Sequence, residues 1–263
     1  REHIKGTVIL LFQPAEEAEH GGEKVVNTGM FEKYKIEKIF GLHTKQNMPV
    51  GTIAIAPGPF SAAVDRFLYT VKGMGCHGSA PQTGLDPIPA AARLVGSLQE
   101  IVSRRISPTE TAVISVTRFT SGTSWNIIPE TARLEGTVRT FNPKVREQIV
   151  KLMQAQAEGL EREGYQVEFT WIPGCPATNN DADLAELVRK EAMEEGFHVT
   201  LQHPEMGGED FSCYQELVPG AFFHVGTGEK YPAHNSKFTV DPAALLGASK
   251  LMSEIVKKAL KAS

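Results

Sequence analysis

The stretch Gln13-Pro14-Ala15-Glu16-Glu17 sets two carboxylates side by side where an apolar run, "TVILLF", ends. Two acids this close repel, and one tends to keep its proton. A divalent cation relieves that conflict: one glutamate can bind it while the other takes a proton from a water it polarises. A solvated acidic loop is an equally simple reading, since "EEAEHGGEK" is polar throughout. The pair alone does not decide between them. His43 closes the next apolar segment, "IFGLH", and His234 lies in the loop "YPAHNSKF" that follows "AFFHVG". Imidazoles beside a carboxylate pair at one rim make a stronger metal candidate than either group alone. His224, inside an apolar strand pattern, reads as a packed core residue.

Such residues need a scaffold that carries distant segments to one edge. Open α/β sheets do this, because ligands bind beyond the carboxyl ends of their strands. Residues 7–12 are continuously apolar and are expected to form a central parallel strand, buried on both faces. A helix over 22–33 and strands at 36–43 and 51–58 are expected to follow. From 65 to 172 the order becomes strand, helix, strand, strand, helix, strand, the pattern of a ferredoxin-like sandwich. Its helices are expected over 87–105 and from Asn142-Pro143 to Gly164. Along "ETARLEGTVRTF", Ala132, Leu134, Gly136 and Val138 alternate with polar residues, as in a half-buried antiparallel strand. An α/β pattern then resumes: a helix over 182–195, the strands "HVTLQ" and "AFFHVG", and a last helix opened by Asp241-Pro242. The fold class is therefore α/β. A mostly parallel-sheet domain from residues 1–60 and 173–263 is interrupted by an α+β domain over 61–172. A cleft between two such domains is the default ligand site.

Composition narrows the function. The net charge of -4 and the lack of a dense basic run argue against a nucleic-acid surface. The apolar runs are strand-sized, too short to span a membrane. Three cysteines, Cys76, Cys175 and Cys213, show no paired spacing, which fits a reducing, cytoplasmic setting and no thiolate zinc knuckle. The chain starts at Arg1 and reaches a buried-type strand within a few residues, as a fragment or trimmed product would.

"FQPAEE", "GLH", "KGMGCHGSAP", "GLDPI", "WNIIPETARLEGTVRTFNP", "MGGEDF" and "PAHNSKF" together resemble the metal-dependent aminoacylase and carboxypeptidase superfamily. The branch they resemble contains N-acyl-amino-acid amidohydrolases, hippurate hydrolases and auxin-conjugate hydrolases. The resemblance runs along essentially the whole chain. It implies a two-metal (zinc, manganese or similar) hydrolase of small-molecule amides, and the ligands this sequence retains are expected to hold one or two divalent ions. It also implies that the inserted domain is a lid through which the chain forms a homodimer or higher homo-oligomer. By the same resemblance Glu16 is the general base, and Glu17, His43 and His234 are metal ligands. His77 stabilises the oxyanion, and Asn126, Arg139 and Glu209 serve the substrate. One departure stands out. Members of the family carry an upstream Cys-Gly-His-Asp type motif that supplies two further ligands and an orienting acid, and this sequence has none. That sets an oligomerising or ligand-binding scaffold with impaired catalysis against the hydrolase. A nucleophile–base pair of Cys76 and His77 is a third option, although adjacent residues rarely reach that geometry.

Overall fold

The computed structural model describes residues 6–17, 21–228 and 231–261. In chain order the first elements are α1 (Gly21–Val26), α2 (Met30–Tyr34), β1 (Ile39–Lys45), β2 (Thr52–Ile55) and β3 (Gly58–Ser61). Next come β4 (Ala63–Lys72), β5 (Cys76–His77), α3 (Pro87–Glu100), β6 (Ala112–Ser121), β7 (Ile127–Ile128), β8 (Thr131–Thr140), α4 (Pro143–Arg162) and β9 (Gln166–Pro173). The chain continues through β10 (Thr178–Asn180), α5 (Ala182–Glu194), β11 (His198–Leu201), α6 (Ser212–Gln215), β12 (Gly220–Gly226) and α7 (Pro242–Lys261). Two compact units result. The first takes the described residues of Arg1–Ser61, Thr178–Glu205 and Glu209–Ser263; the second takes Ala62–Ala177 and Met206–Gly208. The excursion of Met206–Gly208 has a local cause, a hydrogen bond from the Ala62 amide to the Gly207 carbonyl at 2.9 Å.

In the first unit the sheet order is β1-β12-β2-β11. β1 pairs with β12 and β2 with β11 in parallel, while β12 and β2 run antiparallel. All seven residues of β12 are buried, as a central strand requires. Helices α5 and α7 cover this sheet with Leu184, Val188, Leu251 and Ile255, against Ile53, Phe223 and Val225. Each such side chain removed from water contributes roughly 1.5–3 kcal/mol. Asp181 accepts from the amides of Asp183 and Leu184 at the start of α5, and Asp241 accepts from Ala243 at the start of α7. These caps satisfy donors that an early helical turn leaves orphaned. A second cluster, Phe31, Phe60, Phe211, Tyr214 and Phe222, packs around α2 and α6.

Two expectations fail here. Residues 7–12 form no strand: the backbone is irregular, with Leu10 76% and Phe12 87% exposed. A continuous apolar run is a central strand only where neighbours supply hydrogen bonds on both edges, and among the described residues no strand pairs with it. The expected helix over 22–33 is broken into α1 and α2. Gly29 adopts the left-handed conformation (φ 70°) between them and cannot continue a right-handed helix.

The second unit has the sheet order β6-β8-β4-β9, all antiparallel, with α3 and α4 packed on one face. That is the ferredoxin-like arrangement the element order predicts. Asp86 and Asn142 cap α3 and α4 ahead of Pro87 and Pro143, each accepting an amide at 2.9 Å. Asp65 on β4 has a fully buried side chain and accepts from Arg146 Nε at 2.8 Å and from the Gly174 amide at 3.1 Å.

Candidate functional site

The site is built in the first unit where Gln13-Pro14-Ala15-Glu16-Glu17 meets the segment before α6. Ala15 takes a left-handed backbone (φ 60°), rare for a residue with a Cβ, and Glu16 and Glu17 form the turn that follows. The turn is held from beneath. Gln13 Nε2 donates to Asp210 Oδ1 at 2.9 Å and Oδ2 at 2.8 Å, and the Gly22 amide donates to Oδ2 at 2.7 Å. Tyr214 donates its hydroxyl to Gln13 Oε1. Gly22 allows this approach, because a Cβ there would sit 2.5 Å from the Asp210 carbonyl oxygen.

Oxygens of Glu16, Glu209 and Asp210 all lie within 4.8 Å of one another. Partial burial, then Asp210 and Glu17, hold the Glu16 carboxyl above its ordinary pKa, while His43 and His234 pull it down. Glu209 is pushed up to about 7, chiefly by burial; the Phe211 amide opposes the rise and Glu16 adds to it. This is the conflict expected of crowded carboxylates, now shared among three segments.

The histidines complete the rim. His43 lies near the end of β1, in register with His224 on β12, and the two rings are 6.3 Å apart. His43 Nδ1 is 2.7 Å from the Thr44 carbonyl, so it carries the proton and Nε2 keeps a lone pair. His224 is buried beneath, with Nδ1 2.9 Å from Gln202 Oε1 and its ring 4.8 Å from that of Phe60. His234, in a turn with left-handed backbone (φ 67°), places Nε2 3.6 Å from Glu17 Oε1. Two donors on one tetrahedral zinc, each about 2.1 Å from it, lie about 3.4 Å apart. The Glu17–His234 spacing therefore fits a shared divalent cation, and carboxylate oxygen with neutral imidazole nitrogen is a suitable donor set.

Of the residues singled out from sequence, Glu16, Glu17, His43, His234 and Glu209 interact with one another in this unit through contact or charge. Gln13 and Asp210 were missed as site residues. Asp210 had a signal: Glu209-Asp210 repeats the adjacent-acid pattern of Glu16-Glu17. Three donor contacts fall on its oxygens, so Asp210 anchors Gln13 and the Gly22 amide to the segment before α6. Gln13 had none, since nothing local in sequence links it to a residue so far along the chain.

His77, Asn126 and Arg139 belong to the second unit. His77 sits on β5 opposite Ile127 on β7, and the Gly78 amide bonds the Asn126 carbonyl at 2.8 Å, so His77 and Asn126 are neighbours across one short ladder. His77 Nδ1 accepts from the Ser79 amide at 3.2 Å and lies 2.7 Å from Ser79 Oγ, which leaves the proton on Nε2. Arg139 Nε donates to Thr137 Oγ1 at 3.1 Å. The Cys76–His77 pair is not assembled. Successive residues of a strand point to opposite faces; Cys76 Sγ turns to the Pro81 carbonyl while the His77 ring turns to Ser79.

A family model described as Peptidase family M20/M25/M40 matches residues 1–258. N-acetylcysteine deacetylase of Bacillus subtilis (strain 168) is 42% identical over 256 residues, covering 97% of this chain and 67% of the relative. N-acetyldiaminopimelate deacetylase of Bacillus pumilus (strain SAFR-032) is 34% identical over 260 residues, covering 98% and 69%. The crystal structure of the Bacillus subtilis YXEP protein, a dinuclear metal binding peptidase from the M20 family, superposes with a TM-score of 0.82 at 38% identity. It covers 95% of this chain and 64% of that one. The chain thus spans about two thirds of the length of the relatives it matches.

Proposed function

Because this chain belongs to peptidase family M20/M25/M40, we propose that it carries the catalytic core of a metal-dependent amidohydrolase acting on small N-acyl amino acids or related amides and dipeptides. N-acetyl amino acids are the narrower substrate class, drawn from the activities named for its relatives. The observation that carries the reading is the 3.6 Å approach of Glu17 Oε1 to His234 Nε2 beside a crowded carboxylate cluster.

Glu17, His43 and His234 would hold the cation, zinc or manganese. Its chemistry is to polarise a bound water so that its pKa falls toward neutrality. Glu16, partly buried beside Asp210, would take the proton of that water. The same carboxyl then returns the proton to the departing amine. Glu209, its carboxyl pushed up to about 7 chiefly by burial, would serve the substrate side. His77 presents an Nε2–H suited to a developing oxyanion. Arg139 offers a two-pronged donor to a substrate carboxylate, and Asn126 holds its polar backbone. The second unit serves as lid and as the contact between copies in a homodimer or higher homo-oligomer. The setting is cytoplasmic.

The test is amine release from N-acetyl amino acids by the purified chain. Chelation should abolish it, Zn²⁺ or Mn²⁺ should restore it, and Glu16→Gln should lower kcat by about 10²–10⁴ at saturating metal. Hydrolysis indifferent to both chelator and E16Q would overturn the reading.

A further inference from the structure

We propose that Gln13 is a positioning residue: its amide clamps Asp210, and the clamp sets the spacing between the Glu16-Glu17 turn and Glu209 at which the site takes a divalent cation. The inference rests on the metal reading above and goes beyond it to a residue that touches neither cation nor substrate.

Three features carry it. First, Gln13 Nε2 spans both oxygens of Asp210, at 2.9 and 2.8 Å, so the clamp fixes orientation as well as distance. Second, each partner is tied again: Tyr214 donates to Gln13 Oε1 and the Gly22 amide to Asp210 Oδ2. Gln13 is three residues ahead of Glu16, and Asp210 directly follows Glu209, so movement of either partner moves a carboxylate of the cluster. Third, all of these donors are neutral. A lysine or arginine could satisfy Asp210 equally well but would cancel its charge within 4.8 Å of Glu16 and Glu209. Amide donors leave that charge in place, and a negative field at the cluster favours a cation. A clamp that served only to join two loops would have no such constraint.

Co²⁺ is the probe, read by calorimetry and by its visible absorption, with cooperative thermal unfolding as the check on folding. Gln13→Glu is isosteric and sets carboxylate against carboxylate. It should weaken Co²⁺ binding by on the order of tenfold or more, as loss of supporting partners does in metal sites, and alter the absorption bands. The reciprocal pair Gln13→Glu with Asp210→Asn restores donor against acceptor at unchanged total charge and should recover most of the affinity and the parental bands. If Q13E fails to unfold cooperatively, Tyr214→Phe decides, since it removes only the hydroxyl that orients Gln13; it should weaken binding in the same direction. Parental Co²⁺ affinity in a folded Q13E or Y214F, or a reciprocal pair as weak as Q13E alone, overturns the proposal while the metal reading stands. A parent chain that takes up no Co²⁺ removes both.

Discussion

Glu17 Oε1 lies 3.6 Å from His234 Nε2, which joins a turn near the start of the chain to a loop just ahead of the last helix. Both side chains are largely exposed, and as a plain ion pair they would contribute at most about 1 kcal/mol. As ligands of one cation they would contribute far more. Glu17→Gln and His234→Ala should therefore each lower Zn²⁺ affinity on the order of a hundredfold, since catalytic sites rest on few protein ligands. In chelator, neither should move the melting temperature. Calorimetry paired with metal-free melts separates the two roles. A lowered metal-free Tm with unchanged affinity would assign the pair to stability alone.

The two histidines assigned to opposite chemistry hold their protons on opposite nitrogens. His43 donates from Nδ1 to a carbonyl and leaves Nε2 open as a ligand. His77 accepts at Nδ1 from an amide and keeps Nε2–H as a donor. Nitrogen NMR of labelled protein at neutral pH should show a protonated Nδ1 in His43 and a protonated Nε2 in His77. The same tautomer in both would remove one of the assigned roles.

His224 supplies a pH prediction. Burial, then the charge of Lys45, depress its pKa from 6.5 to about 4. As pH falls below 6.5 the unfolded chain takes up this proton before the folded one does. Stability is therefore full above that pH and is lost progressively down to about 4. The loss amounts to roughly 3 kcal/mol at about 1.36 kcal/mol per unit. Urea midpoints of the parent and His224→Gln between pH 7 and 4.5 should diverge, with the parent falling more steeply. Parallel profiles would show that His224 is protonated without penalty in the fold.

In the second unit, the buried Asp65 carboxylate depends on Arg146. Arg146→Ala leaves an uncompensated charge and should cost about 3–5 kcal/mol. Arg146→Ala with Asp65→Asn should recover part of it. Thermal unfolding of the two variants checks this, and a single variant within about 0.5 kcal/mol of the parent, typical of an ordinary surface change, would contradict it.

Periodicity alone determined much of this protein. The alternation through Ala132, Leu134 and Val138, the Asn142-Pro143 start and the element order lead to the ferredoxin-like sheet. Glu16-Glu17, His43 and His234 were each visible as acids or imidazoles flanking apolar runs, and their grouping with assigned roles came from the family resemblance of the motifs around them. What tertiary structure decided is what depends on partners. "TVILLF" has the composition of a central strand, yet backbone pairing comes from neighbours, and among the described residues none pairs with it. Composition speaks for each residue's own preference for burial. The bond between Gln13 and Asp210, and the nitrogen on which each imidazole keeps its proton, are set by donors and acceptors that only the folded chain brings within reach.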